Sequence, residues 1–573
     1  MVTRTDLRSR RSAAQLHALE VVVHEIQVND HNGRRKYLRD FTEAFRNYQS
    51  VLRPEQMHAW LRSADIVLVG DYHALPASQR YTAKLIEQLA GAGKRPVILG
   101  LETVFARDQH ILNEWMRREI GEEELRERIR FDLDWGYMWE PFHELLESAR
   151  ASGVGVYGLD CMPRNDLRTI GARDRHAAHK VAELRGRHPE AQIVVLFGES
   201  HLAPNHLPEL LRERVPQERM LTVLQNVDAL YWKAAGERRE NVEAVRVADD
   251  VVCVFNSTPL EKYESYRLCL DRWGRERSSA PDFGPTVYNL IESLTRFLNI
   301  DACSSHNGTQ PKFLVDHLPE VYCRSSDMLL RRLLQRKIAA EPDRRRIRAR
   351  LQEYGSAYLP AMNSIYVRDF RMPHVAEEAA QFLHQACRGL LHRGNGTHSS
   401  QEAEQHVFTR VFYTRVLEHA LGYFGSRVLC PARPAVREVD LYALYSQSQQ
   451  EIEENTIYSY AEYMHMIDFL VLHKDYEGHS RRYVVPPALM QEGVEFTGEK
   501  FEYTTRRLGY MLGSELYDAY LAGRVSKRFL RSLFYRNLNV PGSARETYFA
   551  VASKIRRPKT GTQRRSASSR NPA

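Results

Sequence analysis

Between residues 60 and 260, short apolar runs alternate with amphipathic stretches. "DIVLVG" (65–70), "RPVILGLE" (95–102), "VGVYGLD" (154–160) and "AQIVVLFG" (191–198) are aliphatic and β-branched. They are continuously apolar rather than alternating, as strands covered on both faces must be. Between and after them, "ASQRYTAKLIEQLAGAG", "RDQHILNEWMRREI", "EEELRERI", "EPFHELLESARASG" and "ARDRHAAHKVAELRGRHP" place apolar residues at helical spacing, and Gly153 supplies a helix stop. "LPELLRERV" and "RMLTVLQNV" continue the rhythm. The pattern predicts an α/β fold, a mainly parallel sheet with helices on both faces.

Beyond about residue 280 strand-like runs become rare. Long helical stretches replace them, among them "SSDMLLRRLLQRKIAAEPDRRRIRARLQEY", "HVAEEAAQFLHQACRGLLH" and "GYMLGSELYDAYLAGRVSKRFLRSLFY". The predicted organisation is a basic, helical lead (1–49), an α/β domain (50–260), an all-helical C-terminal region (285–553) and a basic disordered tail (554–573). "SSHNGTQ" (304–310) and "RGNGTHSSQ" (393–401) read as loops between helices.

Composition changes this picture little. The 573 residues, 43% apolar and 27% charged, suit a globular chain of about two to four domains. No apolar run approaches the ~18 residues of a membrane span. The N-terminal stretch is interrupted by His17, Glu20, His24 and Glu25. No secretory signal is therefore read, and a cytoplasmic location is expected. The net charge of +8 comes mostly from the tail, where Lys554 onward holds seven Lys/Arg and no acid; 8 − 7 leaves +1 for the rest. Nucleic acid is thus not an expected partner, apart from that tail. The seven cysteines form no C-x-x-C pair, and free thiols are expected.

The chemistry gathers at strand ends, where open parallel sheets bind their ligands. "GDYH" (70–73) and "GESH" (198–201) each follow an apolar strand with glycine, an acid, one residue and a histidine. Glu102 and Asp160 end two further strands. If the four strands are parallel neighbours, two histidines and up to four carboxylates converge on one edge. Imidazoles with carboxylates can bind a transition metal or haem iron, or work as acid and base without one. The plainer alternative makes Asp71 and Glu199 caps of the following helices. Two identical units together with Glu102 favour a site. Elsewhere the chain offers less. "HVAEEAAQFLHQAC" (374–387) reads as an amphipathic helix with Glu377, Gln381 and His384 on one face, and "HKDYEGHSRRY" (473–483) as a polar loop. In "STPLEKYESYR" (257–267), Thr258 is placed to face the strand ends, with Tyr263 and Tyr266 packing. No Walker A loop, G-x-S-x-G elbow or H-E-x-x-H occurs.

Two strand-end G-x-x-H motifs with a glutamate between them resemble the ChaN-like haem-binding uptake group, in the superfamily that also holds Tiki, TraB/PrgY and the erythromycin esterases. "VLVGDYHALPASQ", "ILGLETVFARDQ", "RDRHAAHKV" and "VVLFGESHLAPNHLPELL" carry the likeness, over about residues 50–260. The resemblance implies a ChaN-like α/β domain that binds haem or iron, or a divalent transition metal. His73, Glu102 and His201 would form the core of the site, whether as catalytic groups or as metal ligands. Asp71, Tyr72 and Glu199 would flank it and help bind the cofactor. Haem or a small-molecule substrate is the implied partner, and a homodimer is compatible. The superfamily also implies an alternative, a metal-assisted or His/Glu-dependent hydrolase, and a third class is an interaction protein with a degenerate site. The chain departs from the family pattern in having Asp71 where glutamate is usual and in lacking the export signal typical of ChaN proteins. Tyr72 and Tyr137 lie near the motifs, but the family's haem ligands do not map onto either.

Overall fold

The structure, a computed structural model, describes residues 4–29, 36–93, 95–162, 170–237, 242–274, 281–300, 314–337, 341–389, 404–456, 458–479 and 498–556. The predicted loops at 304–310 and 393–401, Cys303 and the tail beyond 556 lie outside these residues.

Eight strands form the main sheet: β1 (Ser50–Val51), β2 (Ile66–Asp71), β3 (Val97–Phe105), β4 (Gly155–Asp160), β5 (Gln192–Gly198), β6 (Met220–Gln225), β7 (Ala244–Ala248) and β8 (Val251–Val254). Their order is β1-β7-β8-β6-β2-β5-β3-β4. The run from β8 to β4 is parallel throughout, and β7 is the reversed strand. Each central strand sends alternate residues to opposite layers. Val67, Val69, Leu99, Val194 and Leu196 join one apolar cluster, while Ile66, Leu68, Ile98, Ile193, Val195 and Phe197 join the other. That division explains why these strands read as unbroken apolar runs. The fold class predicted for this region is the one observed.

The lead is part of this body. In the helix Arg4–Asn29, Ala14, Ala18 and Val22 are buried. Gln15 accepts from Tyr231 (3.2 Å), and the Ala18 carbonyl accepts from Asn289 of the helix Gly284–Leu298 (3.0 Å). The chain divides into two compact units: described residues through 300 with 314–383 and 425–434, and the described remainder. Residues 284–300 and 314–383 therefore fall in the same unit as the sheet.

Beyond 372 the described elements are helices, as expected of the C-terminal region. One feature between 320 and 367 is absent from the predicted pattern. Three strands, β9 (Glu320–Cys323), β10 (Ser356–Leu359) and β11 (Ser364–Val367), form a second small sheet, β10 antiparallel and β9 parallel to β11. At four residues each, they are too short to show a period beside long helices. The helices Asp327–Lys337 and Glu341–Tyr354 lie on this sheet through Leu330, Leu334, Ile347 and Leu351. The predicted polar loop at 473–483 is corrected over its described part: residues 473–479 finish the helix Tyr460–His479. Met466, Ile467 and Leu470 carry the apolar stripe, and His473 continues it, buried between Tyr413 (Nε2 to hydroxyl, 3.0 Å) and Glu477 (3.4 Å).

Candidate functional site

β2 and β5 lie side by side with Asp71 opposite Gly198, and β3 and β4 follow. The four strand ends are therefore neighbours, and the two motifs share one edge. Asp71 does not cap a helix. The helix Pro76–Gly91 starts on proline, and no side chain caps it. Asp71 is buried, accepts from Gln79 and holds His73 Nδ1 at 2.7 Å.

Glu102 owes its position to an irregularity. Leu101 pairs with Gly158 and Phe105 with Asp160, so four steps of β3 span two of β4. The strand runs three residues past the predicted end, and Glu102 starts the bulge. Gly158 makes this passage possible, because a Cβ there would come within 2.6 Å of the Phe105 carbonyl oxygen. One oxygen of Glu102 then accepts from Arg173 Nη2 (2.5 Å) and the other from the Gly198 amide (2.5 Å). Arg173 also grips Asp160 through Nε (2.9 Å) and Nη2 (2.8 Å). Glu102 stands between the imidazoles, 3.8 Å from His73 Nε2 and 3.9 Å from His201 Nε2.

The second motif is supported differently. His201 Nδ1 pairs with Asp174 (2.5 Å), on the helix Ile170–Arg187, and Tyr37 donates to the other Asp174 oxygen (2.9 Å). Glu199 turns to Lys262 Nζ (3.0 and 3.2 Å) on the helix Pro259–Gly274. Thr258 accepts from the Glu261 amide at the start of that helix, and Tyr263 donates to Asp228. A Cβ on Gly198 would lie 3.1 Å from Glu102 Oε2 and 3.2 Å from both His73 Nε2 and His201 Cδ2. The glycine of "GESH" is thus the floor on which all three groups meet.

Exposure separates the histidines. The side chain of His73 is 19% exposed and that of His201 5%. His73 faces an aromatic wall, with Trp135 at 4.3 Å and Tyr137 at 5.2 Å between ring centroids. Tyr137 meets Trp273 (5.2 Å), Trp273 meets Tyr266 (6.1 Å) and Tyr266 meets Tyr72 (6.2 Å). Trp273, 39% exposed, carries this wall to the surface. Trp135 ends a wide helical turn, Phe131–Trp135, bracketed by left-handed Arg130 and Gly136.

Burial and charge set the protonation. Burial disfavours the His73 cation, but Asp71 and Glu102 outweigh it and raise its pKa. Burial likewise raises Asp71, against the pull of His73; the pair holds a proton in its Nδ1–Oδ2 bond. Burial opposes ionisation of Glu102, yet His73, Arg173 and His201 hold it below the usual carboxylate range. Burial, with Glu199 nearby, pushes the Tyr72 phenol well up, which keeps it neutral. The arrangement is two Asp–His pairs presenting Nε2 toward one charged glutamate. Such a set can donate imidazole to a Lewis acid or pass a proton. Arg173 already supplies a cation to Glu102, and among the described residues no group of three or more His, Cys, Asp or Glu is arranged to hold a metal ion.

The structure thus brings His73, Glu102 and His201 together, with Asp71 directly behind. It places Glu199 and Tyr72 on the neighbouring Lys262, whose ammonium lies 4.6 Å from the Tyr72 ring centroid. Sequence reasoning did not assign Gln79, Arg173, Asp174, Tyr37 or Lys262 to the site. The pair "RD" at 173–174 was a usable signal, since two opposite charges opened a helix between motif strands. Tyr37 and Lys262 left none. On the helix at 372–387, Glu377 is buried against Arg350 (3.2 Å) and Arg433 (2.7 Å), a structural pairing.

The family model for "Haem-binding uptake, Tiki superfamily, ChaN" matches residues 57–173. A solved chain described as "Cofacial heme binding to ChaN of Campylobacter jejuni" is similar at 14% identity, covering 30% of this chain and 86% of that one, with a TM-score of 0.26. No curated protein shows significant similarity to this chain. His73, Glu102 and Arg173 fall inside the matched segment, in the strand-end setting described above. Over residues 57–173 the chain is thus similar to the ChaN family of haem-binding uptake proteins, in the Tiki superfamily.

Proposed function

We propose that the α/β unit binds haem at this strand-end crevice and serves in haem handling, with His73 as the residue that would hold it. The setting of His73 carries the reading. It is the more exposed of the two clustered histidines, it stands against an aromatic wall, and a buried aspartate holds its Nδ1. A carboxylate on Nδ1 orients the ring and raises the basicity of Nε2, as partners of ligating histidines do. Trp135, Tyr137 and Trp273, packed edge to face, offer apolar ring surface beside His73 for a porphyrin to lie against. Glu102, held ionised, balances positive charge nearby. Tyr72, held neutral, serves as wall rather than as a phenolate ligand. Haem bound here would supply an iron able to take ligands and electrons. His201, more deeply buried and fixed by Asp174, organises Glu102 from the far side.

Haemin titration of the purified, haem-free full chain, followed in the Soret band, tests this. Wild type is expected to shift the band, His73→Ala to abolish the shift, and His201→Ala to weaken binding without abolishing it. No shift in wild type, or a shift untouched by His73→Ala, overturns the proposal.

A further inference from the structure

The small sheet β9–β11 carries a face that the strand-end site does not use. Its two covering helices spend their inner faces on Leu330, Leu334, Ile347 and Leu351. What remains outside is strongly basic. Residues 327–354 hold nine Lys/Arg and four Asp/Glu, so 9 − 4 = +5; Arg350 is turned inward to Glu377 and Glu378, which leaves +4. Arg331, Arg332, Arg336, Lys337 and Arg345 are exposed. Among the described residues, none of these five has an ion-pair partner.

The same face exposes apolar side chains. Met328 is 68% and Leu329 49% exposed. Met328, Arg332 and Arg336 follow at i, i+4 and i+8, so they form one stripe along the helix, with Leu329 beside it. We infer that this outward face is a docking surface for an anionic lipid bilayer. Basic side chains would lie among the acidic headgroups, while Met328 and Leu329 enter the boundary of the acyl region. Both halves of the stripe then have a use. A nucleic-acid surface would use the arginines alone, and the two apolar side chains would gain nothing from phosphates. Stacking on single-stranded bases needs aromatic side chains; the one aromatic residue in 327–354, Tyr354, packs against His374 and Arg350 instead. Attachment is peripheral: among the described residues no helix is long and apolar enough to cross a membrane.

Flotation of the full chain with phosphatidylcholine vesicles, with and without phosphatidylserine, tests the inference. Binding is expected on the acidic vesicles alone, falling as salt rises. Each basic residue near such a surface contributes roughly a fivefold effect. Arg331→Glu/Arg332→Glu/Arg336→Glu should therefore weaken binding by about a hundredfold or more. Met328→Ser/Leu329→Ser should weaken it several-fold with the salt dependence unchanged. All these positions are on the surface, and circular dichroism confirms that the variants fold. Three results overturn the inference: no preference for acidic vesicles, binding indifferent to the charge reversals, or tighter binding to duplex DNA or RNA than to the vesicles.

Discussion

"GDYH" and "GESH" read alike but are supported differently. In the first, the acid serves its own histidine, as Asp71 holds His73. In the second, the acid turns away to Lys262, and His201 takes its carboxylate from Asp174, 27 residues earlier. The glycines differ as well. A Cβ on Gly198 would press on Glu102 and both imidazoles, whereas one on Gly70 would make ordinary contacts with Leu202 (3.4 Å) and Glu199 (3.5 Å). Spacing along a strand end fixes where a ring stands. Which groups hold the ring depends on the elements packed around it.

The largest expected effect falls on the hub that the two motifs share. Arg173→Met leaves Glu102 and Asp160 buried without their cation and should cost about 3–5 kcal/mol in urea unfolding. If the loss is under about 1 kcal/mol, the guanidinium is not what holds the two strand ends together. Next is the acid that turns away. Lys262→Met should cost about 2–3 kcal/mol at neutral pH. The loss should shrink in acid, because burial already favours the protonated form of Glu199. Adding Glu199→Gln should restore most of the stability; failure to do so would mean that Lys262 acts mainly through Asp228 or Tyr72.

A third test uses pH to separate the motifs. His73 has a raised pKa, so its stabilisation is complete below its ordinary value of 6.5 and fades as pH rises through the raised one. Glu102 is depressed, so its contribution is present above 4.5 and fades as pH falls toward about 2. Asp71→Asn should flatten the alkaline limb of the stability profile and leave the acid limb standing. An unchanged alkaline limb would place that titration elsewhere. The smallest effect compares the glycines. Gly198→Ala should cost about 1–2 kcal/mol by crowding, and Gly70→Ala within about 0.5 kcal/mol. Equal melting shifts would remove the distinction between the two strand ends.

Much of this was legible in the sequence. β2 to β5 stood out because both their faces are buried, which leaves an unbroken apolar run. Their adjacency was a consequence of parallel topology, and with it came the meeting of His73, Glu102 and His201. Glu102 itself was found for an incomplete reason. It looked like a strand end but begins a bulge, and bulges leave no period to read. Lys262 was invisible because its burial depends on where the helix after β8 lands. Tyr37 was invisible because a helix outside the motif region brings it. β9, β10 and β11 were missed because four residues among long helices carry too little pattern.

The strand order has a consequence for how the chain folds as it is made. β5 lies between β2 and β3, although both are synthesised roughly 90 or more residues before it. Until residues 192–198 leave the ribosome, β2 and β3 each present an unpaired apolar edge, and the centre of the sheet has no middle. Joining β2 to β3 is therefore an insertion, and β6, β8 and β7 extend the sheet afterwards from the other edge of β2. Such late, non-local pairing is slow and leaves exposed edges open to aggregation. The strand that delivers His201 is the one that fills the gap between β2 and β3, so it brings the strand ends of His73, Glu102 and His201 side by side in one step.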